Sequence, residues 1–204
     1  AGYGANGYYS SVNTDWWEGV FQDMKLGGID VATLICWGDV PNSVFRTSTI
    51  SSYMVPALDR SGVGVKIAMF DDTTSETCLW NYNNGRGWQA DNLMPLSDSA
   101  NWAYFYDLKI KPFFEAIPQK HWATHNGLPI EQGGRPVIYT YHCYWFTGVS
   151  AYGTALWNYV KTSFARDFKN ANGGDITPFI IHESSWSSNG TNGDGRYSWG
   201  AAVG

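Results

Sequence analysis

Three carboxylates stand at the ends of apolar runs. In VGVKIAMFDDT (residues 63–73), Val65, Ile67, Ala68, Met69 and Phe70 lead to Asp71 and Asp72; in TPFIIHESSW (177–186), Phe179 to Ile181 lead to His182 and Glu183. Two carboxyl groups flanking a glycosidic bond, one donating a proton and one serving as nucleophile or base, are the usual equipment for its hydrolysis. Glu183 is the expected acid, because His182, Trp186 and the apolar strand would desolvate it and raise its pKa, while Asp71 or Asp72 stays ionised. The plainer reading is that an acid after a strand caps the next helix. Asp72, followed by Thr73 and Thr74, fits that reading best.

Aromatic and imidazole side chains fall at the same places. Trp37, His142, Trp145 and Trp186 follow or end apolar runs, and with His182 they would wall a hollow by stacking and hydrogen bonding. Each alone is an ordinary packing residue; their shared placement makes the case. His121 and His125 have a spacing that could hold zinc, but the glutamate of HExxH is absent and Trp122 lies between them, so no metal is expected. NGTNGDG (189–195) lacks the ordered acids of a calcium loop, and no GxSxG marks a nucleophilic serine. No cofactor is expected. Cys36, Cys78 and Cys143 have no CxxC spacing; buried thiols are the plain reading of Cys36 and Cys143, and Cys78, in a long loop, could pair with either.

The elements that would carry these residues alternate. Asp15 and Glu18 have capping-box spacing, and Trp17, Val20, Phe21 and Met24 make one apolar face of a helix that Gly27–Gly28 stops. Residues 29–37 are almost continuously apolar, as in a strand covered on both faces. A helix over about 49–60 follows, with a kink or early break at Pro56, and then the strand ending at Asp71. Residues 73–98 read as one long connection. Helical sequence over 100–122 is interrupted by Pro112 and Pro118. A strand at 136–143, a helix at 154–170, the strand ending at Glu183, and a last strand beginning near Arg196 complete the order. Such alternation predicts one α/β domain over residues 1–204 with a parallel sheet. No strand end matches GxGxxG, so a (β/α)8 barrel with its chemistry at the carboxyl rim is preferred to an open doubly wound sheet.

A full barrel takes about 250 residues, and this chain of 204 opens on a helix. The expectation is therefore an incomplete barrel, about strands two to five or six, from a processed or excerpted chain that starts at Ala1. Sheet edges left unpaired would favour self-association. Net charge is −5 with 13 scattered Lys and Arg, which argues against a nucleic-acid partner. No apolar run is long enough to cross a bilayer. The 34 aromatic residues outnumber the 31 charged ones (11 Trp, 13 Tyr and 10 Phe against 13 basic and 18 acidic), a bias that suits both a large core and a sugar-stacking groove.

The segments NTDWWEGVFQDMKLGGIDVATLICWG and KPFFEAIPQKHWATHNGLPI resemble the secreted glycoside-hydrolase-like (β/α)8 proteins related to endo-α-mannosidases. There a helix ending in M/AK-x-x-GID feeds a strand ending in Trp, and a helix with FF-x-x-IP precedes a GRP strand. Met24, Lys25, Gly28, Ile29, Asp30, Trp37, Gly38, Phe113, Phe114, Ile117, Pro118, Trp122, Gly134, Arg135 and Pro136 match in order. The resemblance spans about residues 8–183, lacks the group's first strand and everything beyond the sixth, and implies a secreted or extracellular protein acting on a glycan. Two functions are carried forward: a glycoside hydrolase with a carbohydrate substrate, and a non-catalytic carbohydrate-binding or structural protein that keeps only the aromatic groove.

Overall fold

The computed structural model describes residues 10–40 and 46–199. The Gly-rich opening through residue 9, the Pro41 loop (41–45) and the end of the last expected strand (200–204) lie outside them. Helix α1 (Thr14–Leu26) starts two residues before the expected box: Asn13 is its cap, taking N–H bonds from Asp15 at 2.9 Å and Trp16 at 3.1 Å. Glu18 instead joins Asp15 in an ion pair with Arg60 of the neighbouring helix. Gly27 caps α1, and Gly28 turns the chain at φ 75°, a conformation open to glycine without a Cβ clash.

Strands β1 (Val31–Cys36), β2 (Lys66–Asp71), β4 (Val137–Thr140), β6 (Phe179–Glu183) and β7 (Gly195–Tyr197) form one parallel sheet, and each strand pairs with the next in chain order. The short strands β3 (Met94–Pro95) and β5 (Phe146–Thr147) pair separately. The class is therefore α/β with an open parallel sheet, and no closed barrel forms among the described residues. A doubly wound sheet reverses its strand order at a switch point; this one does not. Between β2 and β4, Trp122–Thr124 wedges into the amino end: Ala123 donates to Ile67 O at 2.8 Å and its carbonyl takes Val137 N–H at 3.0 Å.

The helices crowd one face. Ala32, Leu34, Cys36, Ile67, Met69, Ile138 and Ile180 share a core with Trp17 and Phe21 of α1, with Ala57 and Leu58 of α3 (Val55–Ser61), with Phe113 and Phe114 of α5 (Lys111–Glu115), with Leu156, Val160 and Phe164 of α6 (Val149–Asp167), and with Trp186 of α7 (Ser184–Ser188). Each fully buried Phe or Leu there contributes about 1.5–3 kcal/mol. Among the described residues, the other face carries a small cluster of Ala68, Ala123 and Val137 with Tyr139 and Ile181. This corrects the two-sided expectation for β1. Its residues alternate exposed and buried, and Val31 and Ile35 remain about half exposed, with no layer over them among the described residues.

Proline acts differently from the expected break. Short α2 (Thr47–Thr49) runs through a π turn (Ile50–Met54) straight into α3, and Pro56 sits in the first turn of α3. Pro112 repeats the arrangement, following a π turn at Tyr106–Ile110. The wider turn gives the ring room where an α-helical carbonyl would clash. The supposed long loop after Asp72 also contains a helix, α4 (Thr74–Asn83), on which Cys78 is buried. All three cysteines are free and buried.

Candidate functional site

Strand register sorts the carboxylates. Cys36, Asp71, Thr140 and His182 are aligned across four neighbouring strands, and all four are buried on the helical face. Because side chains alternate along a strand, the following row, Trp37, Asp72, Tyr141 and Glu183, belongs to the open face. Asp71 and Glu183 therefore point to opposite sides of the sheet, and the expectation that Asp71 shares a hollow with Glu183 is corrected.

Asp71 has no solvent exposure and pairs with Lys109 Nζ at 2.5 Å. Lys109, on the second π turn, also reaches Glu76 Oε1 of α4 at 2.9 Å, Ser75 Oγ at 2.6 Å and the Asp72 carbonyl at 2.7 Å. Burial disfavours the ammonium, but Asp71 and Glu76 outweigh it and hold Lys109 above the ordinary lysine pKa. Burial and then the charge of Asp71 push Glu76 well above the carboxylate range. The neighbouring Cys36 thiol is pushed up to about 12, chiefly by burial. This is a buried charge network.

Asp72 and Glu183 are left on the open face. Two strand spacings put their main chains about 10 Å apart. Asp72 Oδ2 accepts the Trp37 indole N–H at 2.7 Å, and Oδ1 accepts Thr74 N–H at 3.2 Å in the turn into α4. The cap residue of α4 is Thr73 rather than Asp72; Asp72 bonds the turn just before it while keeping its place on the rim. Glu183 caps α7, taking Ser185 N–H at 2.7 Å and the Ser184 hydroxyl at 2.6 Å. Burial alone would raise its pKa, but these donors and the Trp199 main-chain N–H bring it below the ordinary value. The expected raised acid at Glu183 is not found, because helix-terminal donors outweigh desolvation.

Aromatic rings surround the two acids. Trp37 is 44% and Trp199 57% exposed. Trp199 lies 5.5 Å from both Phe70 and Tyr141, and His142 lies between Tyr141 at 3.8 Å and Tyr144 at 4.7 Å. Burial lowers the His142 pKa; Glu183 and Asp72 both pull it upward, which puts the three groups in one electrostatic neighbourhood. Trp145 is half-buried, 5.6 Å from His142.

Two of the expected wall residues do not belong there. His182 and Trp186 have no exposure and stack on each other at 5.4 Å, against Trp157. Trp186 donates to Tyr141 O at 2.6 Å, and His182 Nδ1 meets the Thr140 hydroxyl at 2.9 Å. They are core on the helical side. Sequence reasoning missed Tyr141, Tyr144, Tyr197 and Trp199 on the rim, and Glu76 and Lys109 beneath it. Alternation alone would have found Tyr141 and separated Asp71 from Asp72.

The two histidines weighed for zinc have separate partners: His121 meets Asp59 at 2.8 Å, and His125 stacks on Phe179 at 4.7 Å. A cavity of about 590 Å³ lies at the amino end of the sheet, between Asp30, Lys66, Trp122 and Glu131, away from the rim.

Residues 3–203 match the family described as Domain of unknown function (DUF5010). The chain belongs to that family. No curated protein and no solved structure matches it. Since the DUF5010 match covers almost the whole chain, both the rim and the buried charge network fall within the family's domain.

Proposed function

We propose that this DUF5010 chain contributes to a glycoside hydrolase site, with Asp72 and Glu183 as the paired carboxylates and a glycan as substrate. The observation that carries the reading is the juxtaposition of these two acids on one open face, at the carboxyl ends of parallel strands, beside exposed Trp37 and Trp199. Chain-order strands with helices on one side also support reading the sheet as consecutive units of a (β/α)8 barrel, whose chemistry gathers at this end. Glu183, held ionised by donors from Ser184, Ser185 and Trp199, takes the nucleophile or base role in place of the acid role. Asp72 is the second carboxyl group of the pair, aimed by the Trp37 indole N–H. The resemblance to secreted proteins related to endo-α-mannosidases adds an extracellular setting.

The test is hydrolysis of a glycan panel by the wild type, Asp72→Asn and Glu183→Gln, with binding followed separately. Loss of turnover with retained binding in both variants is the expected result; unchanged turnover refutes the assignment. One observation favours a second reading, a non-catalytic carbohydrate-binding groove. Glu183 accepts several donors, and Asp72 accepts two N–H groups, an arrangement suited to holding hydroxyl donors as well as to cleavage. Binding without hydrolysis by the wild type selects that reading.

A further inference from the structure

Three donors converge on one main-chain oxygen behind the rim. The Asp72 carbonyl accepts Lys109 Nζ at 2.7 Å, Ser75 Oγ at 2.7 Å and Ser75 N–H at 3.0 Å. A carbonyl oxygen has two lone pairs, so this peptide is held more firmly than a turn requires. The ammonium that supplies one donor is itself tied to Asp71, Glu76 and Ser75. On the other side of the same residue, the Asp72 carboxylate meets Trp37. The chain from Glu76 through Lys109 to Asp72 thus links a buried charge cluster to the open-face acid.

The charge count constrains that cluster. Two carboxyl groups and one ammonium, at 0–3% side-chain exposure, carry a net negative charge if both acids ionise, and an uncompensated buried charge is costly. Asp71 Oδ2 and Glu76 Oε2 are buried with no N–H or O–H donor, and the two carboxyl groups converge on the same ammonium, Lys109 Nζ. A single proton between them satisfies both oxygens and neutralises the cluster. Among the other ionisable groups that feel the cluster, the Cys36 and Cys78 thiols and the Tyr197 hydroxyl are all raised by burial and stay neutral.

We infer that Lys109 is a positioning residue for Asp72, anchored by an Asp71–Glu76 carboxyl pair that keeps one proton. The positioning role rests on the proposed rim function, whereas the shared proton stands independently of it.

Two readouts need no substrate: the infrared carbonyl band of a protonated carboxyl group, and the Trp37 indole N–H resonance, assigned with Trp37→Phe. Glu76→Gln, which replaces the protonated acid by a neutral amide of the same shape, is expected to lose that band at neutral pH and to leave the Trp37 resonance unmoved. A wild type without the band, or a Glu76→Gln protein with a displaced Trp37 resonance, overturns the shared proton. Lys109→Met is expected to shift the Trp37 resonance, and Ser75→Ala, a milder cut in the same link, to shift it less in the same direction. On any glycan of the panel that the wild type cleaves, both variants are expected to lower kcat with KM little changed, Lys109→Met by on the order of 10- to 100-fold. An unmoved Trp37 resonance in Ser75→Ala and in folded Lys109→Met overturns the positioning role. If Lys109→Met does not fold, Ser75→Ala decides alone. A displaced resonance in a protein that cleaves no glycan leaves the positioning intact and refutes only the hydrolase reading.

Discussion

Acidification should unfold this protein through His182. Its ring has no solvent exposure, lies against Trp157 and Trp186, meets the Thr140 hydroxyl through Nδ1, and has no partner at Nε2. Burial, with a smaller contribution from Lys161, lowers its pKa from 6.5 to about 3. The folded state therefore keeps the ring neutral where the unfolded chain protonates it. The unfolded state binds more protons below pH 6.5, so stability rises with pH through this window and is lost as pH falls from 6.5 toward 3. The full difference corresponds to about 5 kcal/mol, of which about 3 kcal/mol is already gone at pH 4.5. Urea unfolding of the wild type and of His182→Gln at pH 7.5, 6.5, 5.5 and 4.5 gives the comparison. Titrations common to both proteins cancel in the difference, and the wild type should lose about 1.4 kcal/mol more per pH unit below pH 6. Coincident pH slopes for the two proteins would refute the argument, whatever their absolute stabilities.

Other perturbations probe the faces and turns. Leu34→Ala should cost about 2–5 kcal/mol in chemical denaturation, whereas Ile35→Lys, one residue on and half exposed, should change stability by only about 0.5 kcal/mol; equal costs would contradict the one-sided sheet. Asn13→Ala removes the Oδ1 that accepts both N–H bonds at the start of α1 and should cost about 1 kcal/mol, read as a lowered melting temperature. Gly134→Ala would put a Cβ 2.1 Å from Leu128 O and 2.9 Å from Pro129 O; since the backbone must move, a loss of about 1–3 kcal/mol or more is expected, and unchanged melting would refute that close approach.

The sequence was legible where periodicity and punctuation were strong. The apolar stripe Trp17–Phe21, the Gly27–Gly28 stop and the strand ending at Glu183 all stand close to where the pattern puts them. Alternation in chain order correctly gave an α/β chain with a parallel sheet. Helix α4 escaped because Ser, Thr and Asn dominate it and its buried residues include Ser75, Glu76, Thr77 and Asn81, which give no apolar stripe. Trp186 and His182 were misplaced because residue type does not reveal which face of the sheet an end residue occupies. Asp71 and Asp72 are adjacent in sequence yet separated by the sheet, a distinction that needs the strand's parity. Lys109 offered no signal: its partners lie more than 30 residues away, and its π turn depends on local geometry that composition does not encode.

That π turn fixes more than a kink. Each residue advances an α-helix by about 100°, so removing one residue between Tyr106 and Ile110 would restore regular winding and swing the ammonium by roughly that angle, out from under the sheet. The aromatic residues upstream would rotate with it, Phe105 among them, which now packs on Phe146 and Trp157. Length within this five-residue stretch is therefore as constrained as chemical identity. A conservative substitution there can be absorbed locally, whereas a single-codon deletion would disconnect the cation from both acids at once.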